Sequence, residues 1–176
     1  IHYDIIYDFH DNFQYNWNKL NELKKKYNFL IWEDSKFADI GYINKLKIQN
    51  HISLWADIIS LHPIAGEKSL KDINEIDIIL IGEMSSENNL FNNEYQKNVV
   101  KIAEKHDNVI GIVCQHKMSD KVLNVTPGIS IKDKNDSFGQ IYNSPLDRQF
   151  ADIFVIGRAI CKSDNPQKSL EEFIIK

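Results

Sequence analysis

Apolar positions along the chain fall into two alternating patterns. Short, often β-branched runs recur: "IHYDII" (1–6), "NFLIW" (28–32), "DIISL" (57–61), "DIILIGEM" (77–84), "VIGIVC" (109–114), "VLNVT" (122–126) and "DIFVIG" (152–157). Each reads as a buried strand. Segments of helical spacing lie between them. Phe13, Trp17, Leu20, Leu23 and Tyr27 recur at steps of four, three, three and four, which puts them on one helical face. Tyr95, Val99, Ile102, Ala103 and His106 share a face within 93–106. Residues 42–54 read as partly helical, "LKDINEI" (70–76) as a short helix, and "SLEEFIIK" (169–176) as the closing helix. Pro127-Gly128 is a strong break after the sixth run.

Apolar strands alternating with helical segments indicate βαβ units around a parallel sheet. That leaves a doubly wound sheet or a (β/α)8 barrel. The runs number seven, and the first opens at residue 1, in the middle of a strand and without an initial Met. One further βα unit ahead of Ile1 would bring the count to eight. The barrel is therefore expected, as a single domain over 1–176 that is incomplete at its amino end. With 176 residues, 43% of them hydrophobic, the chain can build one sizeable core.

Charge narrows the function classes. Twenty-one Lys and Arg against 25 Asp and Glu leave a net charge of −4, which gives no bulk electrostatic case for nucleic acid or an anionic membrane. The longest apolar runs fall far short of the roughly 20 residues that a bilayer span needs. Cys114 and Cys161 sit in or beside apolar runs and read as buried thiols in a reducing compartment, hence a cytoplasmic protein.

In a barrel, chemistry collects at the carboxyl ends of the strands. The polar residues just past the runs are Asp34 and Lys36, His62, Ser85 and Ser86, Thr126, and Arg158. His62 and Thr126 read as surface loop residues. Asp34 and Lys36, two apart on an extended segment, would point to one side, and the carboxylate would favour the charged lysine. Such a lysine can protonate a carbanion while the carboxylate repels a negative substrate group. Asp39 could complete an alternating array. A hydrated turn of mixed charge would look the same. The end of the chain adds an anion-binding signal: Gly157 permits close backbone approach, Arg158 offers a planar cationic fork, and Gln140 and Tyr142 add neutral donors.

These stretches together resemble the orotidine 5′-phosphate decarboxylase family in its eukaryotic type. The likeness runs through "FLIWEDSKFADIG", "WADIISLHPIAG", "GEMSS", "VTPGI", "GQIYNSP" and "DIFVIGRAI", in the family's order and over nearly the whole chain. Its signature is the Asp-x-Lys-x-x-Asp array, here Asp34, Lys36 and Asp39. The resemblance implies a (β/α)8 barrel, no cofactor or metal, and a homodimer in which Asp39 acts in the partner's site. It implies that Lys36 protonates C6 of the pyrimidine as carbon dioxide leaves, with Asp34 against the departing carboxylate. It further implies that Ser85 hydrogen-bonds the base, that Met84 and Pro127 line its pocket, and that Gln140, Tyr142, Gly157 and Arg158 grip the 5′-phosphate. UMP would be the product.

The chain departs from the family pattern in three ways. The family's further catalytic lysine would fall immediately ahead of Ile1, and the first strand with its ribose-contacting aspartate would precede that. Ile43 stands where the family usually has a threonine that reaches the partner's ribose. Two rival readings follow. One is a magnesium-dependent phosphosugar aldolase or decarboxylase sharing Asp-x-Lys-x-x-Asp, with Glu33 and Glu83 as candidate acidic ligands. The other is a degenerate relative that binds pyrimidine nucleotides without catalysis.

Overall fold

The computed structural model of the chain describes residues 2–3, 13–50, 52–132, 135–136 and 138–174. Two compact units emerge, one of residues 1–81 and 106–110, the other of residues 82–105 and 111–176.

The first unit holds four parallel strands in chain order: β1 (His2–Tyr3), β2 (Trp32–Phe37), β3 (Ile58–Leu61) and β4 (Asp77–Ile81). Helix α1 (Phe13–Tyr27) precedes β2, and α2 (Gly41–Asn50) follows it. Apart from Ser60 and Asp77, strands β3 and β4 are apolar without alternation, and all their residues but Asp77 are buried. That is the mark of parallel strands covered on both faces. Ile59, Leu61, Ile78, Leu80 and Ile81 are fully buried and form the centre of this unit's core. Asp57, just ahead of β3, accepts the Ile31 N–H at 2.7 Å and both of its oxygens lie 2.6 Å from the Lys24 ammonium, which ties α1 to the sheet.

The second unit follows the same plan. Strands β5 (Val109–Val113, of which residues 111–113 belong to this unit), β6 (Leu123–Pro127) and β7 (Ile153–Val155) pair in parallel and in chain order. Helix α3 (Asn93–Ala103) precedes β5; α4 (Arg158–Cys161) and α5 (Pro166–Ile174) follow β7. Asn92 caps α3 by accepting the Tyr95 N–H at 3.0 Å, while Val99 and Ala103 are buried on its packed face. Asp152, just ahead of β7, accepts the Asn124 N–H at 2.7 Å and so repeats the device of Asp57. Neither unit shows the reversal of strand order that marks a doubly wound sheet. Consecutive parallel order is that of a barrel.

Several expectations need correction. The strand expected at 28–32 begins at Trp32 and runs through the charged motif to Phe37, with Asn28 at φ 51° in the lead-in. No helix forms over 70–76. A 3-10 turn ends at Leu70, and Asp72 at φ 64° breaks the helical path while Ile73 and Ile76 still reach the core. The 93–106 helix stops at Ala103, and the closing helix starts early, at Pro166. Tyr27, in the last turn of α1, is 62% exposed rather than packed. Residues 4–6 of the expected first strand, and the side chains of Phe13 and Trp17, lie outside the described residues.

Candidate active site

In the first unit the site is an irregularity in β2. From Glu33 to Phe37 β2 advances four positions, while β3 advances two, from Ile59 to Leu61. The bulge that results holds Asp34, Ser35 and Lys36. Lys36 adopts φ 55°, a left-handed conformation that a residue with a long side chain rarely takes. Its side chain turns back on the preceding residues. Nζ donates to Asp34 Oδ2 at 2.6 Å and to the Asp34 carbonyl at 3.1 Å. Asp34 is 6% exposed, so the pair is sheltered from water on the carboxylate side. The two residues meet as expected, but through a folded-back bulge and not through the alternation of an extended strand.

Neighbouring groups hold this arrangement. Ser60, fully buried on β3, donates its hydroxyl to Asp34 Oδ1 and accepts the Lys36 N–H at 3.3 Å. Glu33, also fully buried, accepts from the Ser35 N–H at 3.1 Å and from its hydroxyl. His62 follows β3, and its N–H donates to the Phe37 carbonyl at 2.7 Å. His62 is half-buried rather than a free surface residue. Burial and then the Lys36 charge hold its pKa below the ordinary histidine value, with Asp34 opposing them.

Asp39 stands apart from the pair. Its carboxylate meets the Lys47 ammonium at 3.2 Å and accepts the Ile40 N–H at 2.9 Å. The Ile40 hydrogen bond and then Lys47 hold its carboxyl below the usual range. Its side chain is 39% exposed, at the head of α2.

In the second unit the site is built by a loop. Gly128, at φ 74°, begins it, and a Cβ there would stand 2.6 Å from the Ile141 carbonyl oxygen and 2.9 Å from the Ser85 Cβ. The loop then returns along residues 85–87. Ile141 N–H donates to the Ser85 carbonyl at 2.9 Å, and Asn143 N–H donates to the Gly128 carbonyl at 2.8 Å. Only glycine permits that close approach at that φ. The Ser85 hydroxyl accepts from Gln140 Nε2 at 3.1 Å, and the other end of the same amide accepts from Arg158. Met84 and Pro127 are half-buried nearby in sequence, each accepting a side-chain amide through its carbonyl.

Arg158 is the focus of this loop. Its guanidinium meets Asp136 Oδ2 at 2.5 Å and lies over the rings of Phe138 and Tyr142, 5.4 and 5.7 Å from their centroids. Asp136 also accepts the Phe138 N–H at 2.8 Å, the Gln140 N–H at 3.1 Å and the Tyr142 hydroxyl at 3.1 Å. Burial pushes the Asp136 carboxyl up, but those donors and Arg158 outweigh it and leave the group below the usual range. A cavity of about 500 Å³ opens beside Arg158, Asp136 and Tyr142, with Lys132 and Lys162 in its wall. Gly157 is exposed, and a Cβ on it would meet nothing within 4 Å.

Two expectations about single residues fail here. Thr126 is fully buried within β6 rather than in a surface loop. Cys161, closing the short helix α4, is exposed; only Cys114 is buried, and burial pushes its thiol up to about 12. Two residues escaped the sequence reading. Ser60 was signalled by a lone hydroxyl inside an apolar strand, and Asp136 by the Asp-x-Phe-Gly of a side-chain-stapled turn. Glu33 and Glu83, the candidate metal ligands, are engaged elsewhere: Glu83 meets His116 at 3.1 Å and Gln96 at 3.3 Å. Among the described residues no three His, Cys, Asp or Glu side chains cluster as metal ligands, and no helix is long and apolar enough to cross a membrane.

Residues 1–173 match the family profile described as "Orotidine 5'-phosphate decarboxylase / HUMPS family". The chain is 34% identical over 180 residues to a uridine 5′-monophosphate synthase of Bos taurus, covering 94% of this chain and 37% of that protein. It is 36% identical over 173 residues to an orotidine 5′-phosphate decarboxylase of Pachysolen tannophilus (85% and 64%) and 34% identical over 194 residues to that of Candida glabrata (98% and 72%). The chain thus spans about a third of the bovine relative and about two thirds of the fungal ones. A crystal structure of orotidine 5′-monophosphate decarboxylase from Methanocaldococcus jannaschii, complexed with inhibitor BMP, superposes with a TM-score of 0.68 at 23% identity, covering 89% of this chain and 77% of that one. This likeness carries the fold, which is α/β of the (β/α)8 barrel class. The chain belongs to the orotidine 5′-phosphate decarboxylase / HUMPS family.

Proposed function

We propose that the protein decarboxylates orotidine 5′-phosphate to UMP and carbon dioxide, without a cofactor, as a step of pyrimidine nucleotide synthesis in the cytoplasm. The observation that carries this reading is the contact of 2.6 Å between the Lys36 ammonium and the Asp34 carboxylate in a sheltered strand bulge. Breaking the bond between C6 and the carboxylate leaves an electron pair on a ring carbon that has no cofactor to delocalise it. A fixed ammonium aimed at that carbon stabilises the developing charge and then gives it a proton. Asp34 holds the ammonium and disfavours the substrate carboxylate before it leaves as carbon dioxide.

The remaining roles follow the same chemistry. Arg158, Gln140 and Tyr142, with the open backbone at Gly157, take the 5′-phosphate, whose binding energy offsets the placement of like charges at the reacting end. Ser85 hydrogen-bonds the base, and Met84 and Pro127 border it. The working form is a homodimer in which Asp39 serves the partner's site. The half-buried position of Asp39 just ahead of α2, beside exposed Ile40 and Tyr42, supports that role.

The test is release of carbon dioxide from orotidine 5′-phosphate by the complete purified protein, with and without excess chelator. Lys36→Ala should lower kcat by at least about a thousandfold while UMP binding changes little. Normal turnover by Lys36→Ala would remove the proton-donor role. Tight UMP binding by a wild-type protein that releases no carbon dioxide would instead establish a nucleotide-binding relative, the reading that Ile43 favours. Loss of activity in chelator would favour the metal-dependent branch of the superfamily.

A further inference from the structure

We infer that Ser60 is a positioning residue for the reacting pair: its hydroxyl fixes the Asp34 carboxylate and the Lys36 backbone together and thereby aims the Lys36 ammonium. This rests on the reading that Asp34 and Lys36 do the chemistry.

Where two parallel strands keep register, backbone groups satisfy one another. Between Glu33 and Phe37 that register is lost, and the N–H of Lys36 turns away from the regular ladder. Ser60 meets it with a side-chain oxygen at 3.3 Å. The same hydroxyl spends its proton on Asp34 Oδ1, which leaves Oδ2 for the ammonium. One buried hydroxyl thus takes part in both arms of the motif. It sits in "IISL", where the other three residues are buried and apolar. A serine in that setting has no solvent partner, so its hydrogen bonds are committed to the bulge. The left-handed backbone of Lys36 persists only if its surroundings over-determine it, and the Ser60 contact is one of the fixings.

Among the described residues, Lys36 and His62 are charged groups beside Asp34, and the Lys36 ammonium already donates to Oδ2. Loss of the hydroxyl therefore frees the carboxylate to rotate, and the ammonium follows it. Because both hydrogen bonds of the hydroxyl go to the bulge, its removal should act on the chemical step through Asp34 and leave binding alone.

Two measurements on the complete protein decide the matter. In turnover of orotidine 5′-phosphate, Ser60→Ala should lower kcat by about ten- to a hundredfold, the range for one lost hydrogen bond to a charged group. KM should stay within about threefold, and Ser60→Thr, which keeps the hydroxyl, should recover most of kcat. The second measurement needs no turnover. Trinitrobenzenesulfonate labelling, followed by peptide mass spectrometry, should modify Lys36 several-fold faster in Ser60→Ala, with Lys24 and Lys47 unchanged. In an Asp34→Ala background the same Ser60→Ala change should add much less, since only the contact with the Lys36 N–H remains to be lost.

Equal acceleration at Lys24, Lys36 and Lys47 would show general loosening and overturn the inference. So would unchanged Lys36 labelling, or a Ser60→Ala effect that persists in full in Asp34→Ala. If the wild-type protein releases no carbon dioxide, the proposed function falls, and the labelling result still decides whether Ser60 positions the pair.

Discussion

The strand bulge around Asp34 and the loop around Arg158 solve the same problem, the holding of a charge, by opposite means. Asp34 and Lys36 lie within a strand, two residues apart, and are fixed by a fully buried hydroxyl and a distorted backbone. Arg158 is reached over the sequence by Asp136, Gln140 and Tyr142, all from one irregular loop that is stapled by side chains. A strand-borne pair has little freedom to adapt. A loop-borne cation can exchange its partners, here a carboxylate and an amide oxygen, for those of an incoming anion. The rigid region suits a step that needs fixed charge, and the adaptable one suits capture and release.

That contrast makes a separable pair of outcomes. The loss in Lys36→Ala should fall on kcat. Arg158→Ala should instead raise KM for orotidine 5′-phosphate by about a hundredfold, the cost of one charge-assisted phosphate contact, with a smaller fall in kcat. Steady-state kinetics on both variants measures this. A fall in kcat with unchanged KM in Arg158→Ala would dissolve the division of labour.

Asp136 sharpens the loop side. Its carboxylate gathers the Phe138 and Gln140 N–H groups and the Tyr142 hydroxyl, so Asp136→Ala removes the staple while leaving every proposed phosphate-binding side chain in the sequence. The expected effect is about a tenfold weaker UMP affinity, read by calorimetry, with kcat nearly unchanged. Tighter binding would mean that Asp136 chiefly competes with the phosphate for Arg158.

How legible these regions were in the sequence differs for the same reason. Strands β3 to β5 were visible because parallel strands buried on both faces leave nearly continuous apolar runs, and β7 kept such a run although it is only partly buried. Strand β2 was displaced by about four residues, since "EDSK" reads as a turn until tertiary packing buries Glu33 and Asp34 inside the sheet. Asp34 with Lys36 could be paired by spacing, yet the positive φ that brings them together has no sequence mark; Lys is an uncommon residue there. Asp39 was grouped with them by motif, whereas in this chain it pairs with Lys47. The Gly128 turn was foreseen as a break, but the carbonyl and Ser85 that crowd it come from distant residues, 13 and 43 positions away in sequence. Long-range partners of this kind are invisible to local pattern.

Acid should separate the two regions by a smaller effect. His62, beside the charge pair, has its pKa lowered by burial and then by Lys36 from an ordinary value of 6.5. A histidine lowered on folding prefers its neutral form in the native state, so its contribution to stability is present above pH 6.5 and is lost as pH falls through the lowered value. Asp136 is lowered from 3.8, so its contribution is present above that value and is lost only further down. Within the upper window the strand region responds to acid and the Asp136 staple does not. Urea unfolding at pH 7.5, 5.5 and 3.5 should therefore show a decline from the first to the second pH that His62→Gln flattens and Asp136→Asn does not. The further decline at the lowest pH should be eased by Asp136→Asn. If His62→Gln loses as much stability as wild type between pH 7.5 and 5.5, the histidine is not the group that senses mild acid, and the strand region holds its charges without it.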